Sequence, residues 1–384
     1  MHDFEAEQFD TIEAPPKPDP SGSAAAEALR PERIGELLPG IVDELARRGR
    51  GESNPIPLPH WRRLAKTLGG GLWPGCHVLT GGTGSGKSQL ALQLALQAAR
   101  AGIPTRYVAL ELDAPGLVAR LLCMMAGDGA GWWSSLYTGR DEHGELLPHR
   151  AAELGRVHGA ELAALPLYLS TDQGAHGWSY DAIGPAVEQL RAAHPEAAGR
   201  PVLLVVDFLQ LLASPDGVRE DLRERIGKAA YQARNAARQH GAAVVLLSST
   251  ARSSYEEMSP KLTPIGMPDK TAASLVGMGK ESGEIEYAAD SALVVCRSPD
   301  DRGAVWLAVA KQRAGSSKWV RMVERDGWLS EESECAPPKP KTQTELSLET
   351  PPKSAKAGKS HKASKGRDRA AGGDEGMGMK WIND

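Results

Sequence analysis

The sequence predicts an α/β fold: a mostly parallel central sheet flanked by helices, with disordered segments at both ends. Two observations carry this reading. From about residue 56 to 330, apolar strand-like runs alternate with helical patterns, and continuous apolar runs between helices indicate a sheet covered on both faces. One of those runs also leads into a glycine-rich segment followed by a helical pattern, the strand–loop–helix order of a phosphate-binding turn.

Residues 1–30 mix acids with Ala, Ser and Pro, show no period, and read as disordered. Within residues 31–55, Ile34, Leu37, Leu38, Ile41, Val42 and Leu45 recur at helical spacing, with Pro39 and Gly40 interrupting the pattern. Asn54 to Pro59 is a proline-rich link into the main body, residues 56–332. Its strand-like runs are Val78–Thr80, Tyr107–Leu110, Val202–Val206, Ala243–Leu247, Ala292–Val295 and Val305–Val309. A helix with Val218, Leu222, Ile226, Ala229 and Ala233 on one face precedes the fourth run. Residues 333–384 open with Pro337-Pro338-Lys339-Pro340-Lys341 and continue as a basic, Lys-, Ser-, Ala- and Gly-rich tail that cannot bury a core. The tip of the tail, Met377 to Asp384, regains apolar character at Trp381 and Ile382, as a short motif for a protein partner would, although solvated disorder is the simpler explanation.

Composition excludes several classes. A hydrophobic fraction of 41% over 384 residues supports a sizeable core. The net charge of −4 gives no global signal for nucleic acid, though a local basic channel is compatible with it. Cys76, Cys123, Cys296 and Cys335 lie far apart with no metal-ligand spacing, which points to a reduced, cytoplasmic protein. No N-terminal signal pattern and no stretch near the ~20 apolar residues of a bilayer span is present, so no membrane partner is expected.

Gly81-Gly82-Thr83-Gly84-Ser85-Gly86-Lys87-Ser88 fits the pattern G-x-x-x-x-G-K-S/T. Its glycines let backbone N–H groups turn inward around phosphate oxygens. Lys87 reaches the β and γ phosphates of ATP, and the Ser88 hydroxyl binds Mg²⁺. The following helix, Gln89 to Arg100, offers its N-terminus to the anion. The fold class expected resembles that of a RecA-like P-loop ATPase. Asp207 ends the run Val202–Val206. An aspartate after a strand is often only a helix cap, but beside a phosphate loop the favoured role is orienting the Mg²⁺ water shell. Glu111 closes the run Tyr107–Leu110. It is either a general base for the attacking water or an ordinary solvated glutamate, and its position alone leaves both readings open.

Several segments together resemble the DnaB-type replicative helicases. Tyr107 to Ala114, with Arg120 nine positions after Glu111, is similar to the family's S-L-E-M segment and its downstream arginine. Val205 to Leu212 is similar to its D-Y-L-Q-L strand, Lys280 to Glu286 with Ala289-Asp290 to R-E-S-G-x-I-E and A-D, and Lys311 to Gly315 to K-x-R-x-G. These segments keep the family's order and cover roughly residues 55 to 330.

The resemblance implies roles. Glu111 is the catalytic base, and Arg120 packs on the nucleotide base. Lys311 and Arg313 reach the γ-phosphate of the neighbouring subunit in a homo-oligomer, a hexameric ring, where a cation supplied in trans stabilises the transferred phosphoryl group. The loop carrying Lys280, Glu281 and Gly283 touches the phosphates of single-stranded DNA, with Lys280 standing where the family has an arginine. The helical piece from Ile34 to Leu45 docks on the adjacent subunit or on its own domain.

Two departures qualify the expected activity, an ATP-dependent helicase or translocase. Ser248-Ser249-Thr250-Ala251-Arg252 stands where the family has S-Q-L-N-R, so Ser249 replaces the glutamine that senses the γ-phosphate. No counterpart of the family's helical N-terminal domain fits within the roughly 50 residues before the link, so primase binding in the usual manner is not expected. The first departure favours an alternative: an ATPase of the same superfamily that assembles on DNA as a regulator, loader or recombination mediator without unwinding. A third reading is a nucleotide-binding scaffold whose tail recruits partners.

Overall fold

A computed structural model describes residues 33–127, 133–141, 143–171, 178–250, 261, 268, 270–275, 285, 287–297, 304–325 and 328–332. The segments expected to be disordered, 1–30 and 333–384, lie outside them, as do Lys280, Glu281 and Gly283. The chain divides after Cys335, and every described residue belongs to the first unit.

Helices α1 (Ile34–Gly49) and α2 (Arg62–Thr67) lead into β1 (Gly75–Gly81), the phosphate-loop segment, and α3 (Lys87–Arg100). Next come β2 (Thr105–Ala109), α4 (Ala114–Ala126), α5 (Trp133–Thr138), α6 (Arg150–Ala164) and β3 (Leu167–Thr171). Helix α7 (Ile183–Ala193), β4 (Val202–Asp207), α8 (Leu222–His240) and β5 (Ala242–Ser249) follow, and β6 (Ser291–Arg297), β7 (Ala304–Gln312), β8 (Lys318–Arg325) and β9 (Trp328–Glu331) close the fold.

Among the described residues nine strands form one sheet, ordered β3-β2-β4-β5-β1-β6-β7-β8-β9. The six strands from β3 to β6 pair in parallel, and β7, β8 and β9 extend the sheet antiparallel. The parallel part explains the unbroken apolar runs. Leu203 and Val205 pack in one cluster with Leu92 and Leu96 of α3, while Val202, Leu204 and Val206 pack in another with Ile226 and Ala233 of α8. Both faces of the strand are buried, so no polar alternation survives.

Three features differ from the sequence expectation. Helix α1 runs unbroken through Pro39. A proline removes one intrahelical N–H, and here that single loss does not end the helix. Val218 is not part of α8: the Asp221 side chain caps that helix, accepting from Glu224 N–H at 2.8 Å, which leaves Val218 exposed upstream. Strands β3, β8 and β9 carry no continuous apolar run. In β8, buried Val320 and Met322 alternate with half-buried Arg321 and Val323, the pattern of a strand covered on one face only.

The last strand is stitched to α3. Gln93 accepts from the Leu329 N–H at 2.8 Å and donates to its carbonyl at 2.7 Å, and Trp61 Nε1 donates to the same carbonyl at 2.9 Å. Cys76, Cys123 and Cys296 are buried thiols, and burial pushes Cys76 and Cys296 up to about 12. Among the described residues no helix is long and apolar enough to cross a membrane.

Candidate functional site

At the C-terminal ends of the parallel strands lies a cleft of ≈ 370 Å³. Thr83, Gly84, Gly86, Lys87, Ser88, Gln89, Glu111, Arg120, Trp133, Asp207, Ser249, Arg297 and Glu324 are on its walls. Such a position, outside the carboxyl ends of an open sheet, is where α/β folds bind ligands.

The loop from Gly81 to Gly86 is shaped for an anion. Gly84 and Gly86 have φ of 74° and 100°, conformations that side-chain-bearing residues rarely adopt. A Cβ on Gly81 would lie 2.6 Å from Ser85 Oγ and 2.7 Å from the Val295 carbonyl, so no larger residue fits there. Ser85 Oγ and Thr250 Oγ1 are buried and make no hydrogen bond. Lys87 begins α3, and its Nζ donates to the Gly82 carbonyl at 2.8 Å. Burial lowers the Lys87 ammonium below its ordinary value, while Asp207 and Glu111 nearby act to keep it charged.

Asp207 ends β4 and is only 2% exposed. Burial raises its carboxyl; Tyr107 and Ser88, both hydrogen-bonded to it, and the charges of Lys87 and Arg120 pull the other way. Tyr107 O–H donates to Asp207 Oδ2 at 2.7 Å. The peptide joining Asp207 to Phe208 is cis. The Leu110 N–H donates to the Asp207 carbonyl at 2.7 Å, which seats the end of β2 beside the tip of β4. Glu111 follows directly, in the turn before α4. Asp113 caps that helix by accepting from Gly116 N–H at 2.9 Å. Arg120, on the same helix, stacks on Trp133 with its guanidinium carbon 3.9 Å from the ring centre.

Lys87, Ser88, Glu111, Arg120 and Asp207 thus meet in one cleft, and Ser249 joins them from the tip of β5. The donor set suits a nucleotide with Mg²⁺. A turn of backbone N–H groups and one ammonium would face the phosphates, and the paired oxygens of Ser88 and Asp207 suit a hard cation that keeps most of its waters. No cluster of three or more His, Cys, Asp or Glu side chains able to hold a metal alone occurs among the described residues.

Lys311 and Arg313 lie elsewhere. Lys311 pairs with Ala292 near the start of β6, and Arg313 forms an ion pair with Asp290 at 2.9 Å. Asp290 adjoins Cys76, five residues before Gly81 along β1, or roughly 16 Å of strand. That is farther than an arginine side chain extends.

Sequence reasoning passed over Trp133, Tyr107, Gln210, Arg297 and Glu324. Tyr107 and Gln210 are internal to motifs read for their neighbours. Arg297, at the end of β6, and Glu324, in β8, form an ion pair on the cleft wall. Their contact is long-range, and no local pattern announces it. Buried tyrosines usually find a hydroxyl partner, which was the available signal for Tyr107.

Comparison with known proteins bears on the fold and the family. No curated protein matches the sequence. Among solved structures, the ATPase domain of G40P superposes with a TM-score of 0.61 at 18% identity, covering 79% of this chain and all of that one. A DnaB-like replicative helicase, described with its interactions with primase, superposes with a TM-score of 0.59 at 18% identity, covering 80% of this chain and 69% of that one. These similarities establish the fold. The sequence model of the DnaB-like helicase C-terminal domain matches residues 60–328, and the chain therefore belongs to that family.

Proposed function

We propose that this chain is an ATP-dependent DNA helicase or translocase that hydrolyses ATP at the interfaces of a homo-oligomeric, hexameric ring moving on single-stranded DNA in the cytoplasm. The observation that carries this reading is the separation of Lys311 and Arg313 from the phosphate-loop cleft. Lys87, Glu111 and Asp207 stand at the C-terminal ends of the parallel strands, while Lys311 and Arg313 stand near the opposite ends, out of reach of their own phosphate loop. A ring of identical subunits brings the two sets together across each interface.

In this mechanism Lys87 and the loop N–H groups hold the β and γ phosphates, and Ser88 and Asp207 would hold Mg²⁺, which when bound would offset phosphate charge. Glu111 accepts a proton from the attacking water, with its carboxylate placed by the Leu110–Asp207 backbone bond. Arg120 lies beside these groups and contacts the nucleotide, with one face of its guanidinium on Trp133. Lys311 and Arg313 of a neighbour stabilise the charge that develops on the transferred group. Helix α1 leaves Ile34, Leu38, Ile41, Val42 and Leu45 exposed, an apolar face that suits docking on the adjacent subunit. The DNA role of Lys280, Glu281 and Gly283 rests on the family resemblance alone.

A second reading, an ATPase that assembles on DNA without unwinding, is favoured by Ser249. Its short side chain lines the cleft where the family's glutamine reports on the γ-phosphate. Strand displacement on forked duplexes with single-stranded tails of either polarity separates the two. ATP-dependent unwinding supports the helicase; DNA-stimulated hydrolysis with no displaced strand supports the alternative.

A further inference from the structure

The segment Lys311 to Gly315 is held more firmly than an exposed strand end requires. In β7, Ala310 is an extra residue: Lys311 pairs with Ala292, but Val309 pairs with Leu293. Such a bulge re-aims the side chains beyond it. Gln312 Nε2 donates to the Leu68 carbonyl at 3.0 Å. A Cβ on Gly315 would fall 2.0 Å from the Thr67 carbonyl, so glycine alone fits this close approach. Between these two anchors stands Arg313.

Asp290 faces it and is itself fixed by backbone on several sides. Its Oδ2 accepts from the Cys76 N–H at 2.9 Å. Its own N–H donates to the Cys76 carbonyl at 2.7 Å, and its carbonyl accepts from the Arg313 N–H at 3.1 Å. Gly75 makes room for the carboxylate, since a Cβ there would lie 2.8 Å from Oδ2. The remaining oxygen, Oδ1, takes one nitrogen of Arg313, Nη1, at 2.9 Å. A guanidinium carries five N–H donors in a rigid plane. Gripping one nitrogen sets the direction of that plane and leaves the far edge to face outward. The exposures fit this picture: the Arg313 side chain is 43% exposed and that of Asp290 21%.

We propose that Asp290 is a positioning residue: it holds the Arg313 guanidinium in the orientation in which the arginine meets the phosphates bound by a neighbouring subunit. The inference rests on the proposed function, in which Arg313 acts in trans. The bulge at Ala310 and the seat at Gly75 serve the same end, fixing the base from which the arginine projects.

The test is Asp290→Asn. Asparagine keeps an oxygen for the Cys76 N–H and turns an NH₂ group, which cannot accept, toward Arg313. The expected variant binds a fluorescent ATP analogue as the parent does, with kcat lower by roughly 10²-fold, the scale of a misplaced catalytic group. In an Arg313→Ala background the same change has no further effect on kcat, because Asp290 acts only through Arg313. Subunit mixing extends the test. Asp290→Asn mixed with Glu111→Gln recovers activity, whereas Asp290→Asn mixed with Arg313→Ala does not, because every interface then carries a damaged arginine.

A kcat within a few-fold of the parent, or above it, overturns the proposal. So does an equal further loss in the Arg313→Ala background, the mark of a merely structural role. Should Asp290→Asn fail to fold, Asp290→Ser is put through the same cycle with the same criteria. Mixing Arg313→Ala with Glu111→Gln is the control. If that pair recovers no activity although subunits exchange, the trans reading fails and takes the proposal with it; if it recovers and the Asp290 variants behave additively, only the positioning role fails.

Discussion

Gln210 holds Ser249 by both of its backbone polar groups: Nε2 donates to the Ser249 carbonyl at 3.3 Å, and Oε1 accepts from the Ser249 N–H at 3.3 Å. The same Nε2 also donates to Ser248 Oγ at 3.0 Å. One side chain, three residues beyond Asp207, therefore ties the tip of β4 to the tip of β5 at the floor of the cleft. Gln210→Ala leaves these groups without their partner, and unfolding should become easier by about 1–3 kcal/mol. Turnover should fall with it, because Ser249 loses its place in the cleft wall. Chemical denaturation and steady-state kinetics check both effects; unchanged stability and kcat would show the clamp to be incidental.

Asp207 exchanges stability for function. Its carboxyl is raised by burial above the ordinary value of 3.8. A carboxyl raised on folding binds its proton more tightly in the native state, so native stability falls as pH rises through that raised value. Asp207→Asn keeps an oxygen to accept from Tyr107 and carries no charge to bury. The variant should melt higher than the parent at neutral pH, and the difference should shrink as pH drops toward 3.8, while Mg²⁺-dependent turnover is lost. Thermal melts across pH decide it: a lower melting temperature at pH 7 refutes the account.

Lys87 and Glu111 should separate turnover from binding. Glu111→Gln should retain nucleotide and hydrolyse it about 10²–10⁴-fold more slowly, the usual contribution of a general base. Lys87→Ala should abolish turnover in a folded protein. A Glu111→Gln enzyme within a few-fold of the parent would make Glu111 a bystander, and an active Lys87→Ala enzyme would remove the phosphate assignment.

The Arg297–Glu324 pair offers a test of opposite sign. Glu324 holds the Arg297 cation on the wall of the candidate nucleotide cleft. Glu324→Gln frees that cation and removes a negative charge, so nucleotide should bind more tightly, by about fivefold on the ~1 kcal/mol scale of part-exposed ion pairs. Fluorescent-nucleotide titration reads the change, and weaker binding would show that Arg297 needs Glu324 to be useful.

What the sequence discloses follows from how locally each feature is encoded. Lys87 and Ser88 sit in eight contiguous residues whose glycines state their own purpose. Val202 to Val206 reads as a buried strand because both of its faces meet apolar helices. Strand β8 escapes notice because only Val320 and Met322 of its central residues are buried, and charged Arg321 stands between them. The pairs Arg297–Glu324 and Arg313–Asp290 join residues more than twenty positions apart. They exist only once the antiparallel hairpins are folded, and no spacing rule reaches them. The continuous helix through Pro39 shows the reverse case, a local breaker outvoted by its surroundings.

The stitch between Gln93 and Leu329 sets how short this domain can be cut. Gln93 is fully buried, and its amide spends both its donor and its acceptor on one residue of the last strand. A protease clipping after residue 332 leaves that bond intact, and the trimmed product should keep the last strand in place. One clipping before Trp328 strands the amide and the Trp61 indole in an apolar interior. Limited digestion should therefore stall at this strand, and its survival marks the minimal fragment worth carrying into crystallisation.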